Sequence, residues 1–140
     1  ALGASRSEYI DSLASGFMLS CDVAHAKHPN HAELSDASCN AVMNKGTALK
    51  MNYEQRYATE AVGIGMIEGI CAKYSIPYQR FMNRPDLRGG GTLGSFAASQ
   101  LGMQADVGVP MLAMHSCRET MGVRDQDSLN ELVAHYFAEE

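Results

Sequence analysis

The sequence predicts a single layered α/β domain in which helices cover a sheet. Short apolar runs typical of buried strands alternate with amphipathic segments at helical spacing, in the order α-β-β-α-β-α-β-β-α and without internal repeats. The chain has 140 residues, of which 46% are hydrophobic, enough for one core. We therefore treat residues 1–140 as one unit.

The N-terminal part is predicted to form a helix and then a strand. Ser5 or Ser7 is a suitable cap for a helix that Gly16 ends. Residues 17–21 are continuously apolar and stop at Asp22, as expected of a buried strand with a polar residue at its carboxyl end.

A long loop, a strand and a helix are predicted next. Residues 25–46 are polar and contain proline and asparagines, and a loop of this length in a compact domain is usually functional. Residues 47–51 form a strand, and Thr59 caps a helix over residues 60–74. The apolar spacing predicts that one helix face is buried, through Val62, Met66, Ile70 and Tyr74.

The following segment is predicted to contain a strand, a turn and a helix. Pro77 ends the preceding helix, and residues 78–82 form the strand. The glycines at residues 89–91 form a turn before a helix over residues 93–101.

Two strands and a helix complete the predicted domain. The strands cover residues 104–109 and 111–114, are separated or kinked at Pro110, and the second leads to His115. In the last helix we expect an aspartate cap and an inward apolar face, from Asp125 or Asp127 and from Leu129, Leu132, Val133 and Phe137.

Composition narrows the functional classes. The net charge is -5 and the basic residues are scattered, which argues against nucleic-acid or membrane-surface binding and favours small molecules or other protein chains as partners. The four cysteines lie far apart, as expected of reduced, buried thiols in a soluble, cytoplasmic protein. The chain begins without an initiator Met, so we expect it to be a piece of a longer protein.

Asp22 and His115 are candidate metal ligands because each follows an apolar run. In open α/β sheets, ligands bind outside the carboxyl ends of the strands. A carboxylate and an imidazole are natural ligands of catalytic zinc. Residues so distant in sequence rarely share a metal by chance, so their spacing alone leaves the assignment open.

A histidine tract suggests a second possibility. His25, His28 and His31 recur at every third position, but Pro29 and Asn30 break any helix across them. A zinc site made of all three is therefore disfavoured. His25 follows Asp22 closely enough to support the metal site or to contact substrate.

Two further features of the sequence each leave two interpretations open. The glycine-rich turn at residues 89–94 lacks the ending of a P-loop, and is either a close-approach turn for a substrate backbone or a simple tight turn. Lys50 and the neighbouring Arg56 and Tyr57 are either solvated surface groups or a positive group at a crevice mouth, suited to an acidic side chain.

Several segments together resemble the aspartyl aminopeptidase (M18) family of metallopeptidases. The most specific are Asp-Val-Ala-His-Ala-Lys-His-Pro-Asn from residue 22 and Met-His-Ser-Cys-Arg-Glu from residue 114. Leu-Lys-Met-Asn from residue 49, Gln-Arg-Tyr-Ala-Thr from residue 55 and Gly-Thr-Leu-Gly from residue 91 match in order and spacing.

The resemblance implies roles for five residues. Asp22 would be a zinc ligand, and His115 would close a co-catalytic two-zinc site. His25, Lys50 and Tyr57 match positions that contact substrate, with Lys50 suited to the carboxylate of an N-terminal Asp or Glu. No catalytic general base is expected in this chain, because that residue and the remaining ligands of the family precede the matched region.

The resemblance thus implies a zinc-dependent aminopeptidase that removes acidic N-terminal residues from peptides. This chain would be the C-terminal segment of its catalytic domain, inactive alone, and the complete enzyme a homo-oligomer. Two alternatives stay open: a non-catalytic fragment that needs the missing N-terminal part, and an aminopeptidase that prefers neutral residues.

Overall fold

A computed structural model describes residues 3–87 and 89–139 and confirms the predicted α/β class. The elements are α1 (Arg6–Ser15), β1 (Phe17–His25), a 3-10 turn (Ala32–Leu34), β2 (Thr47–Met51), α2 (Ala61–Tyr74), β3 (Tyr78–Met82), α3 (Leu93–Ala97), β4 (Met103–Leu112), β5 (Thr120–Met121) and α4 (Val123–Ala138). None of the helices in these ranges has the length and apolarity needed to cross a bilayer.

The five strands form one mixed sheet in the order β1-β4-β2-β3, with β5 paired to β4. β1 runs parallel to β4, and β2 runs parallel to β3 but antiparallel to β4. The carboxyl ends of β1 and β4 therefore lie at one edge of the sheet, which we call the β1/β4 edge. β2 and β3 end at the opposite edge.

The two faces of the sheet have different neighbours. One face packs against α2 and α4, and its buried residues form the main core: Leu49, Ile67, Ile70, Cys71, Ile76, Ala105, Val107, Val109, Leu129 and Leu132. Because side chains alternate along a strand, the even-numbered residues of β1, β2 and β4 lie on the other face. That face, which we call the polar face, carries Asp22, Lys50 and Asp106 beside a small apolar cluster.

β1 and β4 are longer than predicted. β1 continues through Asp22 to His25 because each of its residues pairs with β4, so Asp22 lies within a strand rather than at its end. β4 passes through Pro110 without a break. Its pairing with β2 covers residues 106–108 and its pairing with β5 begins at Met111, so the missing N–H of proline falls between the two partners.

The predicted buried face of α2 is wrong except at Ile70. Val62, Met66 and Tyr74 are exposed, and the buried residues are Gly63, Ile67, Ile70 and Cys71. A Cβ at Gly63 would lie 2.1 Å from the backbone oxygen of Gln104. The helix therefore packs Gly63 against the sheet. Its buried face is shifted by one residue from the face that the sequence predicted.

The other three helices agree in part with the predictions. Ser5 caps α1 through a capping box with Glu8, α3 has 5 residues and is shorter than predicted, and Gly122 rather than an aspartate caps α4. Phe137 is 79% exposed, so its predicted inward position is wrong.

Asp125 joins α4 to the start of β2 instead of capping the helix. Its carboxylate is fully buried and accepts hydrogen bonds from the backbone N–H groups of Asn44 (2.6 Å) and Gly46 (2.7 Å). Ser128, one turn later, accepts from the N–H of Thr47. Buried charge is tolerated when it is hydrogen-bonded in this way, and the contact fixes the loop end before β2.

Candidate metal and substrate site

Lys50 lies at the centre of a cluster of polar-face residues. Lys50 is only 3% exposed. Its Nζ donates to Asp22 Oδ2 (3.3 Å) and to the Val23 backbone oxygen (2.9 Å). The ammonium also sits 4.4 Å from the centre of the Tyr57 ring. Burial lowers the pKa of Lys50 from its ordinary value, and Asp22 opposes that shift.

Asp22 is the accessible member of the cluster. Its side chain is 47% exposed, and its contact with Lys50 uses only one carboxylate oxygen. The other oxygen makes no hydrogen bond to the described residues. Asp22 therefore keeps one carboxylate oxygen available to a ligand.

Tyr57 closes the cluster on the side of Lys50. Its side chain is buried, and its hydroxyl accepts a hydrogen bond from Asn83 Nδ2 at 3.0 Å. Burial raises the pKa of Tyr57, while the hydrogen bond from Asn83 acts in the opposite direction. The phenol is therefore neutral at ordinary pH.

Asp106 is a buried residue of this site that the sequence interpretation missed. It lies opposite Lys50 in the register of β2 and β4. Its Oδ2 accepts from the N–H of Ala58, and its own N–H donates to Thr59 Oγ1 at 2.8 Å. It thus ties the segment after Tyr57 to the sheet. An acidic residue within an apolar strand was the available signal.

His25 and His115 lie near each other at the β1/β4 edge. The pKa of His25 is lowered, first by partial desolvation and then by His115 and Lys50. His115 follows β4 in an exposed turn with φ 68°, and Ala113 in the same turn has φ 56°. Such values are uncommon for residues with a side chain. The N–H of His115 donates to the Glu119 carboxylate.

A cavity of about 520 Å³ opens beside His25. One wall comes from the loop after β1, with His28, His31 and Leu34, and the other includes Asn83 after β3. The cavity is large enough for a small-molecule or short peptide ligand.

The structure brings together some of the predicted residues. Asp22, Lys50 and Tyr57 are in direct contact, whereas Asp22 and His115 form no ion pair with each other within residues 3–87 and 89–139. The same ranges contain no group of three or more His, Cys, Asp or Glu side chains arranged to hold a metal. Asp22 and His115 nevertheless offer accessible donor atoms of the types that zinc prefers.

The α/β sheet carries an accessible carboxylate and an accessible imidazole, with a ligand-sized cavity beside His25, and these are groups that a metal-dependent hydrolase uses. The family model of the aminopeptidase I zinc metalloproteases (M18) matches residues 1–137. The chain belongs to the M18 aminopeptidases.

Individual relatives agree with this assignment. The chain is 39% identical over 124 residues to a probable M18 family aminopeptidase 2 of Clostridium acetobutylicum, covering 88% of this chain and 29% of the relative. It is 38% identical over 137 residues to aspartyl aminopeptidase 1 of Schizosaccharomyces pombe, covering 97% of this chain and 29% of that protein.

Solved structures show the same fold. The chain matches a chain of the cryo-EM structure of the Ape4 and Nbr1 complex with a TM-score of 0.91 and 36% identity, over 97% of this chain and 26% of that chain. It matches the S. cerevisiae mApe1 dodecamer with a TM-score of 0.80 and 27% identity, over 93% of this chain and 28% of that chain. The chain thus spans less than a third of these relatives.

Proposed function

We propose that this chain supplies two zinc ligands and the substrate pocket of a complete M18 aminopeptidase that removes N-terminal acidic residues from peptides. In this proposal it is the C-terminal segment of the catalytic domain. The observation that carries the proposal is the buried Lys50 ammonium, held between the Asp22 carboxylate and the Tyr57 ring. Lysines are almost never fully buried unless they are paired, so a buried and paired Lys50 argues against a solvated surface lysine.

Asp22 and His115 are the residues that would hold zinc. Bound zinc supplies a Lewis acid and lowers the pKa of a coordinated water. Lys50 holds one Asp22 oxygen and leaves the other accessible, which orients the carboxylate before any metal arrives. Further ligands, a second zinc and a general base would come from outside the described residues, so we expect the isolated chain to be inactive.

His25 and Tyr57 would bind the peptide. The lowered pKa of His25 keeps its imidazole neutral near pH 7, so one ring nitrogen can accept an N–H from the substrate. The Tyr57 hydroxyl keeps its proton at the same pH and can donate to a carbonyl oxygen.

Lys50 would select the N-terminal side chain. An ammonium has three N–H donors, and two of them bind Asp22 and Val23. The third is available for the carboxylate of an Asp or Glu substrate. The S. pombe relative is an aspartyl aminopeptidase, which supports this acidic preference.

A preference for neutral residues is the second candidate. Lys50 is 3% exposed and already donates to Asp22 and Val23. If its whole role is to hold Asp22, no charged group selects the substrate side chain. The two candidates therefore differ in what the Lys50 ammonium contacts.

Lys50→Met in the complete enzyme separates these candidates. If Lys50 binds the substrate carboxylate, kcat/KM for Asp- and Glu-terminated peptides falls by about ten- to a hundredfold, equivalent to about 1.5–3 kcal/mol for a charged hydrogen bond. Matched Leu-terminated peptides then lose only the part that comes from the contact between Lys50 and Asp22, so the ratio of the two kcat/KM values still falls by about tenfold or more.

The same assay includes Lys27→Met, because Lys27 is an exposed lysine of the neighbouring loop. An equal loss on acidic and neutral peptides would assign Lys50 to holding Asp22. No loss on either would remove Lys50 from the site.

The assembly and location of the complete protein are part of the proposal. One structural neighbour, the mApe1 protein of S. cerevisiae, is a dodecamer, which supports a homo-oligomer here. The four cysteines are all free, although Cys21 and Cys117 are exposed and not buried as predicted. Free thiols support a reducing, cytoplasmic location. Light scattering of the complete protein would test the assembly.

A further inference from the structure

Asn83 connects the cavity to the residues of the proposed site. It follows the last residue of β3 and lines the cavity beside His25. It also lines a second cavity, of about 340 Å³, on the side of Arg56 and Arg84. Between them, its Nδ2 donates to the Tyr57 hydroxyl at 3.0 Å. The Tyr57 hydroxyl therefore depends on this amide for its nearest polar contact.

The position of Asn83 is tightly constrained. A Cβ at Gly89 would lie 2.2 Å from Asn83 Nδ2, so the backbone of Gly89 packs against the amide as closely as only glycine allows. The carbonyl oxygen of Gly89 in turn accepts a hydrogen bond from Arg56 Nη1. The amide is thus enclosed between Gly89 and Tyr57 and has little freedom to turn away.

The hydrogen bond restricts what the Tyr57 hydroxyl can do. A phenol has one O–H donor and accepts through its oxygen. Since Asn83 donates to that oxygen, the phenol proton points away from Asn83. The buried ring of Tyr57 is fixed against Lys50, so the direction left to the proton is also fixed.

We propose that Asn83 is a positioning residue that orients the Tyr57 hydroxyl as a hydrogen-bond donor to the bound peptide. This inference rests on the proposed function, in which Tyr57 contacts substrate. Asn83 itself does not take part in the chemistry. It acts through Tyr57, by occupying the acceptor side of the hydroxyl and holding the ring.

A double-mutant cycle in the complete enzyme tests this coupling. We expect Asn83→Ala and Tyr57→Phe each to lower kcat about tenfold, with KM changed less than about twofold. Because Asn83 acts through the hydroxyl, the double variant is no slower than Tyr57→Phe alone. Tyr53→Phe is the matched control, since its hydroxyl donates to the Pro85 oxygen in an exposed position, and it keeps the parent rate.

Asn83→Asp has the same shape and tests the direction of the hydrogen bond. A carboxylate only accepts, so the Tyr57 hydroxyl would donate its hydrogen bond to this group and not to the peptide, and kcat falls by about tenfold or more. Parental kcat in this variant would overturn the proposal, and so would losses that multiply in the double variant. If the parent enzyme shows no zinc-dependent peptidase activity, the proposed function itself fails, which is a different result.

Discussion

The two faces of the sheet are built from alternate residues of the same strands, yet they carry different groups. Leu49 faces the aliphatic core under α2 and α4, while its neighbour Lys50 is buried on the polar face against Asp22 and Tyr57. Val107 and Asp106 repeat this contrast in β4. The period-two alternation of a strand thus places stability on one face and the candidate chemistry on the other.

The Asp22 carboxylate on the polar face also has different partners from the Asp125 carboxylate of α4. Asp125 accepts two backbone hydrogen bonds and is fully buried, whereas Asp22 contacts Lys50 and stays half-exposed. A carboxylate with all its partners inside the fold serves structure. One with an open oxygen is available to a ligand. Substitutions on the two faces should therefore affect different measurements.

The largest expected effect belongs to Asp22→Asn on the polar face. In the complete enzyme, loss of a charged zinc ligand should lower kcat/KM by about a thousandfold, equivalent to about 4 kcal/mol. The free energy of unfolding should fall by about 1–2 kcal/mol, because the buried Lys50 ammonium loses its charged partner while the asparagine oxygen still accepts its hydrogen bond.

Peptidase kinetics, bound zinc and urea unfolding measure these quantities, with the exposed Asp127→Asn as control. Unchanged activity and zinc content in Asp22→Asn would show that the polar face does not carry the metal.

On the opposite face, Leu132→Ala should lower the free energy of unfolding by about 2–5 kcal/mol. Leu132 is fully buried in the main core, so truncation removes apolar contacts and leaves a cavity. The activity of the folded enzyme should change less than about twofold.

Phe137→Ala is the control on the same helix, because Phe137 is 79% exposed. It should cost less than about 1 kcal/mol. Equal destabilisation by both substitutions, measured by urea unfolding, would mean that an additional surface covers the end of α4.

The smallest effect concerns the thiols. Burial raises the pKa of Cys71 to about 11 from its ordinary 9.0, so its reactive thiolate is about a hundredfold scarcer at neutral pH. A thiol reagent should label the exposed Cys117 at least a hundredfold faster than Cys71 in the folded protein. Peptide mass mapping after timed labelling measures both rates. Comparable rates would place Cys71 outside the core, and urea should remove the difference.

Local sequence signals predicted many of the helices and strands, but not which face of a helix is buried or where a long strand continues. β2 and β3 have the predicted bounds, because each is a short segment that follows a clear break, Gly46 before β2 and Pro77 before β3. The buried face of α2 was displaced by the close approach of Gly63 to β4, which depends on a strand far along the chain. Pro110 suggested a break that the pairing of β4 does not require.

The family resemblance was needed to add Lys50 and Tyr57 to the candidate site. β2 runs antiparallel to β4, so strand-end reasoning does not place Lys50 next to Asp22. Asp106 and Asn83 were missed because their importance comes from their partners, Ala58 and Tyr57. Such partners follow from tertiary contacts and have no local pattern. The roles of the named site residues stay predictions.

The place of β4 in the sheet has a consequence for biosynthesis. β4 lies between β1 and β2, although it is made long after both, and Asp125, which fixes the start of β2, is made later still. As the chain leaves the ribosome, β1 and β2 have no strand between them and expose unpaired edges. The sheet can therefore be completed only after β4 has been made. That step requires many long-range contacts, and folding that depends on such contacts is intrinsically slow. During that interval the nascent chain is open to aggregation and is a natural client for chaperones.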